Sequence, residues 1–396
     1  MKSYVMAFAC CLLFVASCKK ETKGKDGPEV FDNGPTDSLK MNQVQIIASH
    51  NSYHLKTNDS IFNWMTNASA LGLLPEQYNP RGIDYWHVPI EQQFDDYNVR
   101  GLELDIYNDP QGGNFYYRQG MSMVGLDNDS RVDILREPGF KIIHIPDFDF
   151  NTNYYTFKQA LITVYNWSVA HPNHLPIFIN VETKNETVGD VLPSLPGMTL
   201  SIPFDASACD KMDEEIKSVF GELLDKVVTP DDVRGSYPTL EAAVLAGNWP
   251  TLAQARNKVV FIMQGGAESL YKAGHPSLQN RAMFVYSDPG TPEAAFVILN
   301  SPNNDKPEII TRVQQGYIVR TRADSGTDEA REGDYTDMNN SFESGAQIIS
   351  TDYYRPDPRA GTPGWTDFKV QFPNGELARI NQVSASSQTN LGLIKE

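Results

Sequence analysis

Four short runs of this chain deliver side chains that do chemistry. They are Ile-Ile-Ala-Ser-His-Asn ending at His50 and Asn51, Leu-Glu-Leu-Asp at 102–105, Ile-Ile-His at 142–144, and Ile-Asn-Val-Glu-Thr-Lys at 179–184. In each, branched apolar residues lead to His, Glu, Asp or Lys at or near the downstream end. Two histidines and at least three carboxylates would then converge, a set suited to metal-assisted acid-base chemistry on a phosphate ester. Strand alternation puts Glu103 and Asp105 on one face, and likewise Asn180, Glu182 and Lys184. Carboxylates that face a protein interior are costly to bury unless they are paired or bind metal. A lone Glu-x-Asp is weak evidence, but this one lies inside an apolar strand and three similar motifs accompany it.

The donor set bears on the metal. Asn51, Glu103, Asp105 and Glu182 offer an amide oxygen and three carboxylates, a hard set suited to Ca2+ and, less well, to Mg2+. His54 lies four residues past His50, and His-x3-His on a helix would suit zinc, but this segment reads as strand and loop and lacks a third nitrogen or sulfur ligand. Arg320, Arg322 and Asp324 alternate along Tyr-Ile-Val-Arg-Thr-Arg-Ala-Asp at 317–324 and share a face. Two guanidinium groups at the mouth of a site suit phosphate or polyol recognition. The competing expectation is a buried ion-pair network with the acidic residues. Tyr353, with Tyr354, is expected either to wall a sugar ring or simply to pack. His171 and His174 flank a proline that ends a helix and are expected at the surface. His87 and His275 carry no motif.

Elements that present such residues at strand ends define a parallel α/β barrel, whose catalytic face lies at the downstream ends of its strands. Strand-like runs recur at 44–49, 101–106, 141–145, 176–181, 258–263, 283–287, 316–321 and 346–351. A further apolar run at 295–299 reads as an extra strand or part of a helix. Helical patterns occupy 154–170, 210–228 and 239–257. The expected architecture is one (β/α)8 TIM-barrel domain over 41–396, with the Pro- and Gly-rich stretch 185–238 elaborated over the catalytic face.

The N-terminus reads as targeting. Lys2 precedes an apolar run from Tyr4 to Ala16 that is too short to span a bilayer, and Val15-Ala16-Ser17-Cys18 has the form of a bacterial lipobox. Residues 1–18 are therefore expected to be a lipoprotein signal peptide, with Cys18 acylated, followed by a flexible tether over 19–40. That predicts an exported lipoprotein anchored at the outer membrane or cell surface. With Cys10 and Cys11 removed, Cys18 and Cys209 remain, so no internal disulfide framework is expected. The net charge of −17 opposes nucleic-acid binding and gives no basic patch for anionic lipid. A monomer is expected.

Taken together, the motifs resemble those of the bacterial calcium-dependent phosphatidylinositol-specific phospholipases C, within the PLC-like phosphodiesterases. The resemblance spans roughly residues 42–390 and rests on Ala-Ser-His-Asn-Ser-Tyr (48–53), Arg-Gly-Leu-Glu-Leu-Asp (100–105), His-Ile-Pro-Asp-Phe-Asp (144–149), Asn-Val-Glu-Thr-Lys (180–184), Arg-Thr-Arg-Ala-Asp (320–324) and Ser-Thr-Asp-Tyr (350–353). It implies that His50 and His144 are the catalytic pair and that Asn51, Glu103, Asp105 and Glu182 hold Ca2+. The implied reaction is attack of the inositol 2-hydroxyl on phosphorus, giving a cyclic inositol phosphate and diacylglycerol. His144 is assigned as the general acid. His50 or Glu103 is the base, and Lys184, Arg320 and Arg322 contact phosphate or inositol hydroxyls. Two rival readings stand beside it: a glycerophosphodiester phosphodiesterase, which usually opens with His-Arg-Gly where this chain has His50-Asn51-Ser52, and a surface lipoprotein that binds glycan or lipid without turnover.

Overall fold

The barrel strands are buried almost throughout: 259–263 reads as a continuous apolar stretch, whereas Val99–Tyr107, Ile177–Thr183 and Ile318–Arg322 alternate apolar residues with polar and charged ones. The computed structural model describes residues 34–396, and the signal peptide, Cys18 and most of the tether lie outside the described residues. Eight parallel strands make the barrel: β1 (Val44–Ser49), β2 (Val99–Tyr107), β4 (Ile177–Thr183), β5 (Val259–Gly265), β6 (Phe284–Val285), β7 (Phe296–Ile298), β8 (Ile318–Arg322) and β9 (Ile348–Thr351). Their order is β6-β5-β4-β2-β1-β9-β8-β7, and a single parallel bridge from Tyr286 to Phe296 brings the two ends together. Two short antiparallel strands are added. β3 (Lys141–Ile142) pairs with the end of β2, and β10 (Arg379–Ile380) with the start of β1.

Two expectations change places here. The run 141–145 is not a barrel strand, whereas the run at 295–299 is one. β2 and β4 pair directly from Gly101–Phe178 to Ile106–Thr183, which leaves no slot between them. β1 pairs only with Val99 and Gly101, so the downstream end of β2 keeps an open edge that β3 takes. His144 consequently stands on the turn beyond β3. His50 directly follows β1, as expected.

Helices cover the outer face. The helix Phe157–Ala170 opens with a capping box between Thr156 and Gln159, and Ala206–Phe220 starts on the side chain of Asp205. The 239–257 pattern is two helices, Leu240–Leu245 and Leu252–Ala255. Gly247 at φ +70° and Pro250 break the pattern between them. Residues 35–40, expected as tether, belong to the fold. Pro35–Ser38 forms a 3-10 turn, Asp37 pairs with Arg256 at 2.8 Å, and Leu39 enters the main core.

A second core sits over the downstream ends of the strands. Ile61 and Met65 from the helix Asp59–Ala70 pack there with Ile143, Ile145, Phe148 and Val188. Val188 comes from the stretch after β4, and Val191, Leu192, Leu195 and Met198 pack against the same core, so the first part of 185–238 lies on this face, whereas Ala206–Phe220 packs on the main core instead. Full burial of Phe148 contributes about 1.5–3 kcal/mol and anchors the turn that carries its neighbour Asp149.

Candidate active site

Strand register assembles the acidic group. Glu103 lies beside Asn180 and Asp105 beside Glu182 across the β2–β4 pairing, so alternation aims all of them at one side. Glu103, Asp105 and Glu182 each place a carboxylate oxygen within 4.8 Å of the others. Lys184 Nζ lies 3.3 Å from Asp105 and 3.1 Å from Glu182, and Arg320 reaches across from β8 to donate to Glu103. Burial would raise the Glu103 carboxyl, but Arg320, then His50, Arg322 and Lys184, bring it below the ordinary range. Asp105 goes the other way. Burial lifts it well above the ordinary carboxyl range, Lys184 opposes that, and Glu182 and Glu103 add to it.

Asn51 adopts φ +43°, a left-handed geometry that asparagine tolerates. Its loop is tied to β2 by two hydrogen bonds, from Ser52 N to the Glu103 carbonyl at 3.0 Å and from Glu103 N to Ser52 Oγ at 2.8 Å. The Asn51 amide donates to the Tyr85 hydroxyl at 3.1 Å, and its oxygen accepts from the Tyr53 hydroxyl at 3.5 Å. Tyr53 itself feels the charges of Asp105, Glu182 and Glu103, after the larger effect of burial. The group therefore fits a hard divalent cation. Every donor is an oxygen, Asp105 Oδ1 and Asn180 Oδ1 are buried without a hydrogen-bond partner among the described residues, and burial holds the Asp105 carboxyl well above its ordinary range.

Each of the two histidines rests on its own aspartate. His50 Nδ1 lies 2.8 Å from Asp352, and Nε2 lies 3.2 Å from Arg322 and 4.0 Å from Glu103. Arg322 also donates to Asp352 at 2.8 Å. Burial would raise Asp352, but His50 and Arg322 hold it well below the usual carboxyl range. An ionised carboxylate only accepts, so Nδ1 of His50 carries hydrogen toward Asp352, and Nε2 is the nitrogen that faces Arg322 and Glu103. His144 Nδ1 lies 2.8 Å from Asp149 Oδ2, which leaves Nε2 with no hydrogen bond among the described residues. Burial lowers the His144 imidazole, and Asp149 partly opposes this.

Several partners were not assigned from sequence. Asp149 and Asp352 stood inside the quoted motifs with no role given. Their signal was a second carboxylate just past each strand or turn end. Tyr85 contacts Asn51 and lies 3.4 Å from His50 Nδ1, and His87 Nε2 donates to the His50 carbonyl at 2.7 Å. Burial takes His87 down to about 3, so it is neutral.

Other expectations are corrected. Arg320 is buried against Glu103 and Ser350, and Arg322 is engaged with Asp352, so the ion-pair network is what forms. Tyr353 is buried against Tyr85 and Phe368, and Tyr354 is buried against His87, so neither walls an opening. His174 is also buried, bonded to Ser168 at 2.7 Å and to the Leu175 carbonyl at 2.6 Å, while His171 is exposed as expected. The structure brings together His50, Asn51, Glu103, Asp105, Glu182, Lys184, Arg320 and Arg322. His144 is reached through Asp149 and His54.

A model of the family described as phosphoinositide phospholipase C, Ca2+-dependent, matches residues 39–382. Among solved structures, the chain is similar to a calcium-dependent phosphoinositol-specific phospholipase C from a Gram-negative bacterium, Pseudomonas sp. They share 16% identity over 90% of this chain and 100% of that one, with a TM-score of 0.50. It is similar also to a Ca2+-dependent phosphatidylinositol-specific phospholipase C from Streptomyces antibioticus, at 17% identity over 80% and 95% of the two chains and a TM-score of 0.49. A phosphatidylinositol-specific phospholipase C from Listeria monocytogenes matches at 11% identity over 79% and 89%, with a TM-score of 0.43. At such identities the Pseudomonas likeness speaks for the fold alone, a barrel of parallel strands alternating with helices. No curated relative matches.

Proposed function

Because this chain belongs to the Ca2+-dependent phosphoinositide phospholipase C family, we propose that it cleaves phosphatidylinositol-type lipid to diacylglycerol and a cyclic inositol phosphate, with His50 as base and His144 as acid. Family membership makes it a phosphodiesterase and sets aside both rival readings. The observation that carries the assignment is the pair of histidines, each on its own buried aspartate, with His50 beside an oxygen-only cluster.

In this reading the inositol 2-hydroxyl gives its proton to His50 Nε2 as its oxygen bonds to phosphorus. The bond from phosphorus to the glycerol oxygen breaks, and that oxygen takes the proton from Nε2 of a protonated His144. Asp149 and Asp352 hold the two rings by Nδ1, which fixes which nitrogen works. His50 is favoured over Glu103 because Glu103 is ion-paired with Arg320 and depressed in basicity. Asn51, Glu103, Asp105 and Glu182 would hold Ca2+, which when bound supplies positive charge for the phosphoryl oxygens and lowers the pKa of the attacking hydroxyl.

Lys184, Arg320 and Arg322 are each already matched by carboxylates, which favours unphosphorylated phosphatidylinositol, or a glycosylated form, over multiply phosphorylated inositides. Among the described residues no helix is long and apolar enough to cross a membrane. The proposed attachment is the acylated Cys18, on an exported, monomeric protein.

The test is product identification by phosphorus NMR, with Ca2+ and with EGTA. His50→Ala and His144→Ala should each lower kcat by on the order of 10²–10⁴. A substrate with a thiol leaving group needs no acid and should partly rescue His144→Ala alone. Equal loss on both substrates removes His144 from the acid role, and full activity in EGTA removes the metal.

A further inference from the structure

Asp149 carries two imidazoles, and the mechanism uses only one. The other is His54, the fourth residue past His50, which is fully buried in the turn after β1. Its Nε2 lies 2.5 Å from Asp149 Oδ2, the same oxygen that meets His144 Nδ1 at 2.8 Å. Thr57 donates to the other oxygen at 2.6 Å. The His54 ring stands 4.6 Å from Tyr85 and edge-on to His144 at 5.6 Å. Its backbone is pinned at both ends, N–H to the Asn51 carbonyl at 2.8 Å and C=O to the His87 N–H at 2.9 Å.

The tautomer follows from the partners. An ionised carboxylate cannot donate, so Nε2 of His54 carries hydrogen. Its Nδ1 is buried with no hydrogen-bond partner among the described residues. Pinned by its backbone and by Asp149, His54 is a fixed donor to that carboxylate. Three donors lock Asp149 in one orientation, and two of them share one oxygen. What that oxygen gives to His54 it withholds from His144.

We propose that His54 is a positioning residue for proton delivery to the leaving group: by sharing Asp149 Oδ2 it aims the carboxylate at His144 Nδ1 and keeps the His144 proton releasable. This rests on the reading of His144 as the general acid. The role is distinct from zinc binding, since both ring nitrogens that face the carboxylate are engaged as its donors.

The experiment compares kcat on phosphatidylinositol with kcat on its thiol-leaving-group analogue, in the Ca2+-saturated protein, for His54→Leu and His54→Gln. Loss of a hydrogen bond to a charged acceptor should lower the ratio of oxygen-ester to thio-ester turnover in His54→Leu by on the order of 10–100-fold. The glutamine amide reaches the position of the imidazole Nε2 and should recover most of that ratio. A merely structural role would slow both substrates alike, and an unchanged ratio in a folded His54→Leu overturns the proposal. If His54→Leu does not fold, histidine-labelled wild-type protein decides by heteronuclear NMR. Hydrogen on Nε2 and a bare Nδ1 of His54 support the proposal, and the opposite tautomer overturns it. His144→Ala on the same two substrates tests the acid role separately, and the tautomer of His54 does not depend on that outcome.

Discussion

Arg320→Met isolates what the acidic cluster needs. Arg320 and Glu103 are each only 3% exposed, so removing the guanidinium leaves a carboxylate buried without its counter-ion. Breaking such a pair from one side costs about 3–5 kcal/mol, out of a total stability of about 5–15 kcal/mol. At roughly 2 °C per kcal/mol for a large domain, Tm in EGTA should fall by about 6–10 °C. Ca2+ binding should respond in the opposite sense. A positive charge near a cation site repels the cation, and two unit charges about 4 Å apart at an effective dielectric of about 20 interact by roughly 4 kcal/mol. If even a third of that repulsion is relieved, Ca2+ affinity rises about tenfold. Calorimetric titration and thermal unfolding with and without Ca2+ measure both quantities. The Ca2+-induced rise in Tm should thus be larger in Arg320→Met than in the wild type. Weaker Ca2+ binding, or an equal Tm loss with and without Ca2+, would refute the placing of Glu103 in the cation site.

Asp105→Asn should abolish Ca2+-dependent turnover and stabilise the cation-free protein above the unfolded carboxyl range, because the amide carries none of the burial cost that raises the Asp105 carboxyl; titration calorimetry and Tm in EGTA read the two effects. The sign for pH follows from the same shift. A raised carboxyl adds stability below its unfolded pKa of about 3.9 that is lost as pH rises through the folded value. Tm in EGTA should therefore carry a loss with rising pH that Ca2+ removes. Asp149 is depressed by His54 and His144 against the effect of burial, so its contribution is present above about pH 3.9 and lost as pH falls through the folded value; Asp149→Asn should flatten that acid limb in urea unfolding. Cys18→Ser should release the full chain from the membrane fraction, and a mutant that still pellets after a high-salt wash would overturn the lipid anchor.

The chemistry of this fold was legible where strands carry it and hidden where turns do. Glu103, Asp105 and Glu182 obey simple alternation on β2 and β4, so their shared face could be read directly. The run 141–145 failed because hydrophobicity marks a strand without saying which edge is free, and the β2–β4 pairing had already taken the neighbouring slot. Asp149 and Asp352 could not be matched to their histidines by spacing. One is five residues from His144 around a turn, and the other is more than three hundred residues from His50. Arg320 and Arg322 share a face as expected, yet which carboxylates they meet depends on reach across the lumen.

The charges of the site bear on its substrate. Around the proposed cation position stand three carboxylates, Glu103, Asp105 and Glu182, and two basic groups, Arg320 and Lys184, which leaves one negative charge when all are ionised. Burial makes that excess expensive, and it appears in the structure as the reluctance of Asp105 to ionise. A divalent cation turns the excess into a single positive charge, which matches one phosphodiester. Arg322 adds nothing to this sum, since Asp352 already offsets it. In a chain of net charge −17, a lipid carrying further phosphates would meet Lys184, Arg320 and Arg322 already matched by carboxylates, and repulsion beyond them. The proposed preference for a singly charged phosphatidylinositol headgroup thus rests on the same ion pairs that engage Arg320 and Arg322 with carboxylates.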